Sequence, residues 1–126
     1  MFVKFDGNPC GKSKGDCVIR AIGIAENESW RRVYLQLCVE GYADCAWGDV
    51  DRIWNGYLER IGYTRSEPGE NDGKTVAEFA SRHQTGTYII GTGTHAVAVV
   101  TGDIVDSWNS SNEPILYYYT KSGGEK

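Results

Sequence analysis

Apolar positions recur at helical spacing along the first half of the chain and at strand spacing along the second. Met1 to Phe5 (MFVKF) predicts a short strand. Asp6 to Asp16, with three glycines and a proline, predicts a loop. Val18, Ile19, Ala21 and Ile22 then open a first helix, with Asp16 as the expected N-cap and Cys17 in the first turn. Ser29 is the expected cap of a second helix, whose apolar face is Trp30, Val33, Tyr34, Leu37 and Cys38. A third helix is expected from about Asp49 to Ile61, stopped by Gly62. Ser66 to Gly73 is polar and predicts a loop, and Thr75-x-x-Glu78 reads as a capping box for a short fourth helix through Phe79 and Ala80.

Past Gln84 the period becomes two. Strands are expected over Thr87–Ile90, His95–Val100, Ile104–Trp108 and Ile115–Tyr119, with turns at Gly102-Asp103 and over Asn109 to Pro114. Helices first and strands second predict an α+β fold, with N-terminal helices packed on a C-terminal antiparallel sheet in sequential order. One domain over residues 1–120 is expected, followed by a flexible tail, 121–126 (KSGGEK).

Composition narrows the classes. With 40% hydrophobic and 24% charged residues, a core can form without disulfide or metal support. A net charge of -4 provides no basic field for nucleic acid, so no nucleic-acid partner is expected. No apolar run approaches the roughly 18 residues of a membrane span. Met1 to Lys14 lacks the apolar stretch of an export signal, so a cytoplasmic location and four reduced thiols are expected. Cys10-x6-Cys17 and Cys38-x6-Cys45 do not have the tight spacing of zinc ligand pairs, and neither metal nor cofactor is implied.

The candidate chemistry centres on Cys17. A cysteine at a helix N-terminus has free backbone N–H groups and the positive dipole end beside it, both of which favour thiolate. The alternative reading is a small buried cysteine at a helix–loop junction. Of the two histidines, His83 lies in a polar stretch and is expected exposed. His95 follows Gly91-Thr92-Gly93-Thr94 and opens an apolar strand, a rigid support for a base beside the thiol. Asp106 is an isolated carboxylate in an apolar strand, where a charge calls for a partner, and it is the expected orienter of the imidazole. Asn109 is the alternative. A hairpin at Gly102-Asp103 pairing Val99 with Asp106 brings His95 and Asp106 together only with a bulge or strong twist.

Cysteine at a helix start, then His95-Ala96-Val97 on a strand, then Asp106-Ser107-Trp108 resembles the papain-like cysteine peptidases, which carry Asn-Ser-Trp after their histidine strand. The run Asn8 to Ala21 is similar to small papain-like proteins of bacteria and their phages. The likeness covers the order of elements along most of the chain, and the matching residues lie in those two segments. It implies Cys17 as nucleophile, His95 as general base and acid, Asp106 as orienter, and Trp108 as a shield over the His–Asp hydrogen bond. Gly11 stands where such peptidases carry glutamine. The oxyanion donors are therefore expected to be the Cys17 N–H with Asn8, Lys12 or Lys14. The expected function is a cysteine hydrolase acting on a protein or peptide substrate through a Cys-His-Asp triad and an acyl-enzyme. The alternatives are an acyltransferase with the same triad, a protein-binding or inhibitor module on this scaffold, and a structural or assembly domain with no site.

Overall fold

The computed structural model describes residues 1–10, 15–48, 51–93 and 95–121. The N-terminal half contains β1 (Phe2–Lys4), α1 (Cys17–Glu26), α2 (Trp30–Ala43), α3 (Asp51–Arg60) and β2 (Tyr63–Ser66). After a 3-10 turn at Glu70–Asp72 come α4 (Val76–Arg82), β3 (Thr87–Gly91), β4 (Ala96–Val100), β5 (Asp103–Asp106) and β6 (Tyr117–Lys121). The fold is mixed α+β, with four α-helices and a six-stranded sheet among the described residues. Residues 49 and 50, the expected start of the third helix, and the tail from 122 lie outside the described residues. No helix among the described residues is long and apolar enough to cross a membrane.

Capping explains where α2 and α4 begin. Ser29 Oγ accepts from the Arg32 N–H at 3.1 Å, and Thr75 Oγ1 accepts from the Glu78 N–H at 3.2 Å. α1 starts differently: the Asp16 side chain makes no capping bond. Its carboxylate is drawn away to buried donors, described below.

The sheet order β1-β5-β4-β3-β6-β2 departs from a sequential antiparallel sheet. β3, β4 and β5 form the expected meander, but β6 returns beside β3, and β1 pairs in parallel with β5. β2 closes the other edge against β6, a pairing that four residues with little apolar content do not signal locally. β6 is thus interior, between β3 and β2. Tyr119 is fully buried, Tyr117 and Tyr118 are half-buried, and the strand continues through Lys121.

Alternation along the strands divides the core in two. Ile89, Ala96, Ala98 and Tyr119 pack with Ala21, Ile22, Val33, Leu37, Trp54 and Leu58 of α1, α2 and α3. Ile90, Val97, Val99 and Ile104 pack with Val76, Phe79 and Ala80 of α4 on the opposite face. The residues of β4 beneath α1 are small, Ala96 and Ala98, so the helix lies close to the sheet. That close approach brings its first residue, Cys17, to the end of β4.

Candidate active site

Cys17 opens α1 with its sulfur half-buried in a cleft of about 880 Å³ lined also by Asn8, Trp47, Asp51, Trp54, His95 and Tyr117. The first N–H groups of a helix have no intrahelical acceptor, so this mouth is electropositive. The imidazole of His95 and the backbone N–H of Ala96 lie beside the sulfur and favour its ionised form. Burial opposes ionisation of this thiol. The His95 imidazole, the Ala96 N–H and the positive charges of His95 and Arg20 outweigh it, and the thiol is held below its ordinary range.

His95 sits just before β4, in the turn from β3, where its carbonyl accepts from the Thr92 N–H at 2.9 Å. Its Nε2 meets Asp106 Oδ2 at 2.6 Å, which leaves Nδ1 for the sulfur. Burial pulls His95 toward its neutral form. Hydrogen bonds to Asp106 and Cys17, with the two negative charges, overcome this and push it up to about 9. Both groups favour the same state, thiolate beside imidazolium.

The hairpin register explains how His95 and Asp106 meet. β4 and β5 pair Ala98 with Val105 and Val99 with Ile104, two positions away from the expected Val99–Asp106 pairing. Continuing this register one step puts Asp106 level with Val97, two residues from His95. Diagonal neighbours on one face lie about 7–8 Å apart at Cα, within reach of an imidazole and a carboxylate. The expected bulge is not needed.

Both Asp106 oxygens are committed. Oδ2 accepts from His95 and from Ser110 Oγ at 2.7 Å; Oδ1 accepts from the Ser107 N–H at 2.7 Å and from Arg20 Nη1 at 3.2 Å. Burial favours protonation of this carboxyl, but the His95 and Ser110 bonds, the His95 charge and the Ser107 N–H hold it below the usual carboxylate range. Arg20 is only 7% exposed and also donates through Nε to Asp16 Oδ1 at 3.1 Å and through Nη1 to Ser107 Oγ at 2.8 Å. Asp16 Oδ2 in turn accepts from Asn8 Nδ2 and Trp30 Nε1, each at 3.0 Å. Breaking a buried pair of this kind by removing one partner typically costs about 3–5 kcal/mol.

The remaining expected residues divide. Trp108 packs its ring on His95, centroids 4.8 Å apart, while itself half-exposed. Asn109 does not reach His95: its side-chain oxygen accepts from the N–H and hydroxyl of Ser111, holding the turn after β5. The imidazole therefore has the carboxylate of Asp106 as its partner and not this amide. Asn8 lines the cleft, and its amide N–H₂ donates to Asp16. Lys12 and Lys14 lie outside the described residues. His83 is not exposed as expected. It stacks on Phe79 at 3.8 Å and bonds Asp72 at 3.0 Å, remote from the cleft lining.

No protein-family model, curated protein or solved structure matches the chain. The atoms of the cleft make a polarised thiol, a base able to accept and return a proton through Nδ1, and a fixed carboxylate behind that base. Arg20, Ser107 and Ser110 were not legible as parts of this set, although one signal existed. Arg20 is a lone charge in the apolar run Cys17 to Ile22, four residues after Asp16, where a buried partner is required.

Proposed function

We propose that this chain is a papain-like cysteine hydrolase of the cytoplasm, cleaving an amide, isopeptide or thioester bond of a protein or peptide. The observation that carries the reading is the His95–Asp106 hydrogen bond of 2.6 Å, with the imidazole and the Cys17 thiol it polarises lining the same cleft. In the first step the Cys17 thiolate attacks the carbonyl carbon and an S–C bond forms. The bond to the leaving group then breaks as His95 gives its Nδ1 proton to the departing nitrogen or sulfur. Water attacks the acyl-enzyme, His95 takes its proton, the S–C bond breaks, and a carboxylic acid leaves. Asp106 stays ionised throughout, keeps Nε2 protonated and stabilises the imidazolium. The oxyanion faces the first N–H groups of α1, that of Cys17 foremost.

The test is intact-mass detection of an acyl adduct on Cys17 after exposure to a peptidyl thioester. An adduct that forms in the wild type and decays with release of the free acid supports hydrolysis. An adduct that amines discharge faster than water redirects the reading to acyl transfer. The absence of any adduct with thioester, ester or amide donors sinks it. A second reading, a binding module on the same scaffold, is favoured by the exposed apolar side chains Leu35, Val39 and Tyr42 of α2 together with Trp47. Full biological activity in Cys17→Ala would select it.

A further inference from the structure

The polar network behind the cleft has a property that a three-residue relay does not require: it closes on itself. Cys17 and Arg20 lie three residues apart on α1, one helical turn, and so share a side of the helix. Cys17 contacts His95, His95 Nε2 meets Asp106 Oδ2, and Asp106 Oδ1 accepts from Arg20 Nη1, which returns the path to α1. The helix therefore touches the sheet-borne pair at both ends, through the thiol and through the guanidinium.

Arg20 is itself fixed. Its Nε is bonded to Asp16, whose other oxygen is bonded by Asn8 and Trp30, so the guanidinium is held between two buried carboxylates. The signs alternate along the path: Asp16 negative, Arg20 positive, Asp106 negative, His95 positive, Cys17 negative. With every neighbour attractive, rotation of Asp106 away from His95 breaks two charge-assisted bonds at once.

We propose that Arg20, seated by Asp16, is a positioning residue that locks the Asp106 carboxylate onto His95 and ties that pair to the helix bearing Cys17. The inference rests on the Cys17–His95 reading of the cleft. It goes beyond that reading in making the reactivity of the thiol depend on a charge that touches neither the sulfur nor the imidazole.

The experiment is site-resolved alkylation with iodoacetamide across pH 5 to 9, with Cys10, Cys38 and Cys45 as internal references. The variants are Arg20→Gln, Arg20→Lys and the double variant Asp16→Asn with Arg20→Gln, which leaves no unpaired charge at position 16 or 20. In Arg20→Gln the lower limb of the Cys17 rate profile is expected to rise by about one pH unit, so that alkylation at pH 6 slows about tenfold. The double variant is expected to shift in the same direction, and Arg20→Lys to recover part of the loss because one ammonium retains the charge without the fixed fork that bonds Asp16 through Nε and Asp106 through Nη1. A folded double variant with the wild-type profile overturns the inference while leaving the Cys17–His95 pair standing. A wild-type Cys17 no faster than Cys38 and Cys45 overturns the underlying reading first, and the inference with it.

Discussion

Replacing Asp106 by asparagine changes one oxygen to a nitrogen in a site where four donors converge. If the new amide N–H₂ takes the place of Oδ1, it faces the Ser107 N–H and Arg20 Nη1, two donors that cannot turn into acceptors. If it takes the place of Oδ2, it faces Ser110 Oγ, which can rotate to accept, and His95 Nε2, which can accept as the opposite tautomer. The second arrangement is therefore the stable one, and it has a chemical consequence. With Nε2 accepting, Nδ1 carries the proton, and the ring can no longer take one from Cys17. The rise of His95 from 6.5 to about 9 corresponds to about 3 kcal/mol, and Asp106 supplies the leading hydrogen bond among its favourable causes. Losing about half of that stabilisation lowers the thiolate population at pH 6 by about tenfold, since the Cys17 thiolate supplies the rest. Alkylation of Cys17 at pH 6, scored by peptide mass against Cys38 and Cys45 in the same sample, should fall by that factor while circular dichroism stays unchanged. A folded Asp106→Asn protein that alkylates at the wild-type rate would refute the assignment of Asp106 as orienter.

Three further outcomes follow from the same contacts. His95 holds its proton more tightly folded than unfolded, so its contribution to stability is complete below about pH 6.5 and is lost as pH rises toward the folded value. In a Cys17→Ala background, where the thiol no longer titrates, urea midpoints should therefore fall between pH 6 and 9, and adding His95→Gln should flatten that fall. Asp16 behaves oppositely. Burial raises its pKa, but bonds from Asn8, Arg20 and Trp30 lower it further, so its contribution is present above about pH 4 and lost as pH falls. Asp16→Asn should flatten the acid limb of stability between pH 2 and 5, and an unchanged limb would show that Asp16 is not held ionised. Gly91→Ala places a Cβ inside the contact distance of the Tyr117 ring on the neighbouring strand. The ring must move, and a loss of about 1–3 kcal/mol in chemical denaturation is expected; a wild-type midpoint would mean that Tyr117 swings aside freely.

Local pattern was enough for the helices and for the three residues at the cleft. The apolar stripe of α3, the Ser29 and Thr75 caps, and the change of period after Gln84 are properties of neighbouring residues, and these elements formed where the pattern put them, although Tyr34 and Cys38 of the expected α2 face are exposed. Cys17, His95 and Asp106 stood out for a related reason: each is a reactive or charged group where propensity alone favours something else. Tertiary structure decided what depends on partners distant in sequence. β2 is a strand only because β6 lies beside it, β1 finds its parallel partner 102 residues later, and β6 is interior because β2 covers the edge that β3 leaves free. The two-position change in the β4–β5 register that brings Asp106 to His95 follows from the turn falling on Thr101 and Gly102, both at positive φ, and not on Gly102-Asp103, so that Val100 pairs with Asp103; both placements keep the same core face, so alternation along the strands does not choose between them. The same holds for Asp16. As a helix cap it needed only its own backbone, but a buried guanidinium one turn away offers a stronger, charge-assisted bond, and that competition can be resolved only when helix and sheet come together.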